Sequence, residues 1–253
     1  PQTGNLLSIC ASTPVIGCAV AHFTYQWDTI GNLISRQNPS QPYTENFCYD
    51  GLNRVENYAL GANCTASGTT TVVYSDIGNI TEKSDVCAAA NCFAYEGTGG
   101  AGPHALTKIY GTYNGVSNPT FTYDHNGNMT SGGGRGIAYT SFNMAATITE
   151  GSTSLGLAYG AWHNRYKMCV PNCTSPTATT TYLYDPATGG MSEKVVSGSS
   201  TTWLDYITAP GGGLVAVRSK TALGISLRYI VSDHLGSVTG VSDTGSPIAV
   251  EHD

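Results

Sequence analysis

The sequence predicts an all-β protein in which antiparallel β-hairpins coil into a β-solenoid or an incomplete hollow shell. Three observations support this fold class. No stretch of helical length shows an apolar period of about 3.6 residues, and Ser, Thr, Tyr, Val and Gly dominate between turns. A short turn motif also recurs about every 23 residues, a period typical of repeat architectures.

The turn motif has the form aromatic, Asp or Ser, two variable positions, Gly or Asn, a polar residue and an apolar residue. It occurs in these segments: WDTIGNLIS from Trp27, YDGLNRVEN from Tyr49, YSDIGNITE from Tyr74 and YDHNGNMTS from Tyr123. SDHLGSVTG, from Ser232, has the same form without the aromatic residue, and the segment from Tyr184 to Gly189 has one extra residue.

Each motif position has a mechanical role in a hairpin turn. An Asp or Ser side chain accepts hydrogen bonds from backbone N–H groups further along the turn. Gly or Asn supplies the positive φ that a type I turn followed by a bulge requires. The predicted turn residues are Asp28, Gly31, Asp50, Asn53, Gly78, Asp124, Gly127, Asp185, Gly189, Asp233 and Gly236.

The aromatic residue of each motif closes one strand, and we expect it to pack over its equivalent in the next repeat. The tyrosines at positions 25, 49, 74, 95, 123, 139, 159, 184, 206 and 229 continue this spacing along the chain. The repeat therefore extends over nearly all of the sequence.

A calcium loop is the alternative interpretation of the segment after Tyr123. Asp124, Asn126 and Asn128 have the spacing that begins an EF-hand loop. The glycine, however, stands at the fourth loop position rather than the sixth, and no Glu closes a twelve-residue loop. We therefore interpret this segment as a turn and predict neither a metal nor a cofactor.

The chain contains eight cysteines, most of them in or beside loop-like segments. Their even number and short spacings favour disulfides and an oxidising compartment. Zinc is the competing interpretation, but the spacings are wider than C-x2-C and lack a matched His pair. Neighbouring positions suggest the pairs Cys10–Cys18, Cys48–Cys64, Cys87–Cys92 and Cys169–Cys173, although many other pairings are possible.

Composition excludes some classes of partner. Only 11% of the 253 residues are charged, and the formal net charge is -6, which gives no electrostatic basis for nucleic-acid binding. No apolar run approaches the roughly 18 residues of a membrane span. The first residues lack the features of a signal peptide, so we expect a processed chain or a fragment.

The repeats resemble the Rhs/YD-repeat family, including its repeat-associated core, over nearly the whole chain. The resemblance is carried by YQWDTIGNLISRQN from Tyr25, FCYDGLNRVENYAL from Phe47 and TFTYDHNGNMTSGGGR from Thr120. It continues through YGAWHNRYKM from Tyr159, GGGLVAVR from Gly211 and YIVSDHLGSVTGVSDTGS from Tyr229. Repeats over residues 1–158 and core-like closing hairpins over 159–253 then form one domain.

The resemblance implies a long β-sheet that spirals into a hollow shell. In bacterial members the shell encloses a C-terminal toxin released by aspartyl-type self-cleavage, and in the related teneurins it serves cell-surface adhesion. This sequence ends where the family continues towards the cleavage motif, and its cysteines are additions to the family pattern. We therefore carry over neither cleavage nor encapsulation as the first prediction.

Catalytic arrangements find little support in the sequence. Asp233, His234 and Ser237 have the residue types of a hydrolytic triad, but neighbouring residues on a strand point to opposite faces and no G-x-S-x-G elbow is present. Gly132–Arg135 lacks the Lys-Ser/Thr of a phosphate loop. We predict that the protein is not an enzyme.

The ends of the predicted sheet expose unpaired backbone groups, since no helix, Pro-rich plug or charged run covers them. We therefore predict a secreted, bacterial, non-enzymatic scaffold that assembles end to end as a homo-polymer, through pairing of its β-edges, into a fibre or tube. One alternative is a fragment of an Rhs toxin shell, partnered by neighbouring repeats and the toxin of a longer chain. The other is a carbohydrate-binding or adhesion module.

Overall fold

The computed structural model consists of β-strands joined by turns, and it contains no helix among the residues described. These are residues 4–13, 16–38, 43–61, 63–66, 68–87, 89–97, 100–185, 190–210 and 212–243. All strand pairs are antiparallel, so the predicted all-β, antiparallel fold class is confirmed. Within these ranges no helix suited to crossing a membrane occurs.

The N-terminal part forms a seven-stranded sheet whose strands follow one another in chain order. The strands are β1 (Ser8–Thr13), β2 (Ile16–Trp27), β3 (Leu33–Asn38), β4 (Tyr43–Tyr49), β5 (Val55–Leu60), β6 (Thr70–Tyr74) and β7 (Ile80–Lys83). Each strand pairs only with its sequence neighbours, as expected of consecutive hairpins.

Four short strands follow, and they form two separate two-stranded pairs. The first pair is β8 (Phe93–Ala94) with β9 (Lys108–Ile109), and the second is β10 (Thr112–Tyr113) with β11 (Val116–Ser117). The Tyr spacing continues through this region in the sequence, but the long regular strands do not.

The C-terminal part forms a twelve-stranded sheet, again in strict chain order. Its first strands are β12 (Thr122–Tyr123), β13 (Met129–Gly132), β14 (Arg135–Tyr139), β15 (Ala145–Glu150), β16 (Thr153–Tyr159) and β17 (Arg165–Val170). Its last are β18 (Ala178–Tyr184), β19 (Met191–Ser197), β20 (Ser200–Thr208), β21 (Leu214–Thr221), β22 (Gly224–Ser232) and β23 (Val238–Asp243).

Neither large sheet closes into a barrel, because no pairing joins its first strand to its last among the described residues. Most strand residues are half-buried, and fully buried apolar side chains are few and scattered. One cluster of buried residues stands out, formed by Phe23, Tyr25 and Val231. Because these residues belong to β2 and β22, this cluster joins the two large sheets.

The fourth position after the aromatic residue requires positive φ, which glycine adopts without strain. Gly127 has φ of 83°, and a Cβ built there meets nothing within 4 Å. A Gly127→Ala substitution therefore costs only the backbone strain of a left-handed conformation, which we expect to lower the free energy of unfolding by about 1 kcal/mol. Chemical denaturation measures this change.

Gly51→Ala is the matched control for that substitution. Gly51 lies in the turn after Tyr49, its φ is not in the left-handed region, and a Cβ built there would also meet open space. We expect a change within about 0.5 kcal/mol there. Equal destabilisation by the two substitutions would contradict the role assigned to positive φ.

Candidate functional site: the turn edge and the contact between the first and last hairpins

A carboxylate closes four of the five regular turns from inside, and in the fifth the Ser75 hydroxyl accepts from the Asn79 backbone N–H at 3.1 Å. The Asp124 Oδ1 accepts hydrogen bonds from the backbone N–H groups of Asn126 and Asn128, both at 2.9 Å. Asp28, Asp50 and Asp233 accept the equivalent pair of bonds in their own turns.

Hydrogen bonding stabilises the ionised forms of Asp124 and Asp50. The Asn128 side chain donates to the Asp124 Oδ2 at 2.8 Å and is the main reason that the pKa of Asp124 lies below its usual value. The backbone N–H of Arg54 has the leading role in lowering the pKa of Asp50. These aspartates are therefore committed to the turns as hydrogen-bond acceptors.

The fourth residue of each regular turn has positive φ and donates its N–H to the carbonyl three positions earlier. The φ values are 97° at Gly31, 61° at Asn53, 87° at Gly78, 83° at Gly127 and 84° at Gly236. At each of these turns the strand register shifts, which is the signature of a bulge.

The same geometry occurs at further turns whose residues were not among the predicted turn positions. Asn143 and His163 adopt φ of 61° at the equivalent position after Tyr139 and Tyr159, and Gly212 adopts 102°. The regular Tyr spacing was the signal available for them. His163 also stacks on Phe142, with their ring centroids 4.2 Å apart.

The longer turn after Tyr184 is described only in part. The Asp185 N–H donates to the Gly190 carbonyl at 2.9 Å, which closes the base of the turn. Gly189 lies outside the described residues.

Tyrosine hydroxyls join successive hairpins along the turn edge, each donating to a backbone carbonyl of the preceding repeat at 2.8 or 2.9 Å. The pairs are Tyr49 to Leu33, Tyr74 to Val55, Tyr123 to Leu106, Tyr139 to Met129 and Tyr159 to Ala145. Trp27 makes the equivalent bond through its ring N–H to the Leu6 carbonyl at 2.8 Å. The aromatic residues therefore connect repeats by hydrogen bonds to the backbone, a role that the expected ring packing did not include.

A second type of contact joins two described hairpins, β2–β3 and β22–β23, which we call the first and last hairpins. The Arg36 Nη1 lies 3.3 Å from the Asp233 Oδ2, although 197 residues separate the two in sequence. The Asp233 side chain is only 3% exposed, whereas that of Arg36 is 30% exposed and also pairs with Glu45. Asp233 thus closes its own turn with one oxygen and holds the first hairpin with the other.

Aromatic packing surrounds this ion pair. The His234 ring lies with its centroid 4.6 Å from that of Tyr25 and 5.6 Å from that of Trp27. Val231 packs in the buried cluster with Phe23 and Tyr25. Burial is the largest influence on Tyr25 and raises the pKa of its hydroxyl. We call these residues, together with Arg36 and Asp233, the closure contact.

Three cysteine pairs lie in disulfides within the described residues. The Cα–Cα distances are 5.8 Å for Cys48 and Cys64, 6.4 Å for Cys87 and Cys92, and 5.0 Å for Cys169 and Cys173. These distances fall in the usual range for a disulfide. Cys10 is also disulfide-bonded, while the side chain of Cys18 lies outside the described part of the chain.

The described residues contain no group of three or more His, Cys, Asp or Glu side chains able to hold a metal ion. Of the triad residue types, Asp233 is used by its turn and by Arg36, since the Ser237 backbone N–H donates to its carboxylate at 2.9 Å. The His234 ring packs against Tyr25 and Trp27. The arrangement of this edge is therefore suited to holding hairpins together.

Comparisons with known proteins place the fold. No family model matches the sequence, and no curated protein matches it. The chain aligns over 96% of its length with the Photorhabdus luminescens Tc holotoxin pore carrying a TccC3 mutation, at a TM-score of 0.58 and 12% identity. It aligns over 98% with the TcdB2-TccC3 crystal structure, at a TM-score of 0.61 and 14% identity.

This similarity concerns the fold. The chain corresponds to 14% of the length of either structure. Its all-β architecture therefore has the same form as a section of a much larger protein.

The closure contact predicts an energetic coupling between Arg36 and Asp233. Asp233→Asn keeps an oxygen for the turn but removes the charge that faces Arg36. In a double-mutant cycle with Arg36→Met, we expect a coupling free energy of at least about 1 kcal/mol, because the carboxylate is buried. The cycle is measured by chemical denaturation.

Arg135 and Glu150 provide the control cycle. Their side chains lie 3.0 Å apart, and each is more than half exposed, so their coupling is expected below about 0.5 kcal/mol. Equal coupling free energies in the two cycles would show that burial does not strengthen the interaction between Arg36 and Asp233.

Tyrosine burial predicts a loss of stability at high pH. Burial, followed by the charge of Glu193, raises the pKa of Tyr206 to about 12. Since this folded-state pKa exceeds the unfolded value near 10, the stabilisation is complete below pH ~10 and is lost as pH rises towards ~12. Free energies of unfolding measured across this range test the expectation.

Tyr206→Phe should make the alkaline decline shallower, because phenylalanine has no hydroxyl proton to lose. Tyr110→Phe is the control, since Tyr110 is 47% exposed. An unchanged pH dependence in Tyr206→Phe would be inconsistent with the assigned burial effect.

Proposed function

We propose that the protein is part of the wall of a β-sheet shell that encloses a polypeptide cargo. The closure contact is the observation that carries this proposal. It brings Asp233 to Arg36 across nearly the length of the chain, so the succession of hairpins turns back on itself. A sheet that curves round in this way surrounds space instead of extending as a flat layer.

The fold similarity supports the same function. Sections of the Tc holotoxin pore and of the TcdB2-TccC3 structure share the architecture over nearly all of this chain. The resemblance of the turn motifs to Rhs/YD repeats implies a spiral shell around a C-terminal toxin. The partners proposed here are accordingly neighbouring repeats and the toxin of a longer chain.

Assembly into a fibre receives no comparable support. The prediction of a homo-polymer rested on uncovered sheet edges, whereas the comparisons favour the toxin-shell alternative. In this proposal the neighbouring repeats of the shell cover those edges by pairing with them.

The proposed wall is non-enzymatic and secreted. Asp28, Asp50, Asp124 and Asp233 are all used as acceptors within turns, which leaves them structural roles. The disulfides suit an oxidising, extracellular compartment, where they strengthen a protein with little core.

Limited proteolysis of the natural gene product that contains this sequence tests the proposal. We expect the cargo segments that the wall encloses to be protected from protease in the intact protein, because the shell excludes the enzyme. Opening the closure contact with Arg36→Met and Asp233→Asn should make the same segments digestible, whereas Arg135→Met and Glu150→Gln should not.

Cleavage of these segments at the same rate in intact and opened protein would contradict containment. Electron microscopy of the 253-residue chain gives an independent check on assembly. Fibres or tubes at high protein concentration would favour the polymer instead.

A further inference from the structure

A row of lysines crosses one face of the C-terminal sheet. Lys167, Thr181, Lys194, Trp203 and Lys220 are direct cross-strand neighbours on five consecutive strands, from β17 to β21. Directly paired residues project from the same side of a sheet, so the three lysines and the tryptophan share one face. We call it the lysine face.

The strands that carry the lysine face are more positively charged than the rest of the chain. Three of the five lysines in the sequence lie in the row. Residues 153–232 contain six Lys and Arg but only three Asp and Glu, although the whole chain has a net charge of -6.

The row's lysines also lack close ion pairs within the part of the chain that the structure describes. None of them forms an ion pair there. The nearby carboxylate of Asp205 is already engaged by Arg218 at 2.6 Å and by Ser192 at 2.8 Å. Asp205 also interacts with Lys220, but Arg218 shares its charge, so the lysine face keeps an excess of positive charge among the described residues.

Exposed apolar side chains accompany the lysines. They lie on the same face of β18, β20 and β22: Leu183, Trp203, Ile207, Ile225 and Tyr229. On the opposite face Thr180 and Tyr182 are buried. Clustered exposed apolar groups beside unpaired cations indicate a binding surface.

The spacing of the lysines defines the ligand. Lys167, Lys194 and Lys220 are each two strands apart, which places their backbones about 10 Å from one another. A polyproline II helix advances about 9.3 Å in three residues, so every third side chain points the same way. Acidic residues at every third position of such a helix would match the lysines.

Trp203 adds a contact suited to proline. It lies between Lys194 and Lys220 in the row, and the Lys194 Nζ stands 5.4 Å from its ring centroid. Aromatic side chains on a surface are the common means of holding proline rings in polyproline II ligands.

We propose that the lysine face binds an extended acidic polypeptide segment in polyproline II conformation, with Asp or Glu at every third position. The same face continues to Val231, which packs against the first hairpin in the closure contact. The binding surface is thus continuous with the established contact between the two sheets. This inference does not require that the protein form a shell.

Fluorescence anisotropy of the full chain with a labelled peptide of repeated Glu-Pro-Pro units tests the proposal. A peptide of the same composition with all glutamates clustered at one end is the ligand control. We expect the repeated peptide to bind at least ~10-fold more tightly than the clustered one, and its affinity to fall as salt rises.

Matched variants assign the binding to the lysine face. Lys167→Gln, Lys194→Gln and Lys220→Gln together should weaken binding at least ~10-fold. Lys83→Gln, Lys108→Gln and Arg135→Gln together remove equal charge elsewhere and should leave affinity unchanged. Trp203→Leu should weaken binding, while Trp162→Leu, at a side chain that is 92% exposed, should not.

Three results would overturn the proposal. Equal losses in the two triple variants would mean that overall charge alone attracts the peptide. Equal affinity for the two peptides would contradict the proposed match between the lysines and acidic residues at every third position. Binding of a sulfated polysaccharide or an oligothymidylate, with no binding of the Glu-Pro-Pro peptide, would assign the surface to another class of ligand.

Discussion

A hydrogen-bonded turn repeated along one edge is the constraint on which the rest of the structure depends. An aspartate such as Asp124 accepts two backbone N–H groups, and a residue such as Gly127 takes the positive φ that completes the bulge. The tyrosine before the aspartate then donates to a carbonyl of the previous hairpin, as Tyr49 does to Leu33. The local turn and the pairing of successive hairpins are thereby fixed by the same few residues.

A sheet stabilised in this way needs little hydrophobic core, and the chain has little. The closure contact supplies long-range stabilisation in its place, and the disulfides constrain local loops. A disulfide that closes a loop of the size between Cys48 and Cys64 contributes about 3 kcal/mol, a large share of the stability of an ordinary domain. The closure contact adds a buried carboxylate and a set of aromatic rings, which make the relation between the two sheets specific.

The sequence allowed prediction of local features and failed for distant ones. Asp28, Asp50 and Gly31 stand in a motif whose turn chemistry is contained within a few residues, so their roles follow from residue type. Arg36 and Asp233 meet across 197 residues, and nothing in either local sequence indicates the other. His163 was not predicted as a turn residue because the motif has Gly or Asn at that position, although the spacing of Tyr159 marked the turn. The short strands between the two large sheets were missed because the Tyr spacing there continues without the complete turn motif.

The central claim is that the chain curves so that its first and last hairpins touch. Spin labels carried by noncanonical amino acids at Gln26 and Leu235, both exposed, allow their separation to be measured by pulsed electron paramagnetic resonance. The closure contact predicts a distance below about 25 Å. The twelve strands of the C-terminal sheet alone would span about 53 Å if they lay flat, so a separation of about 50 Å or more would contradict the account.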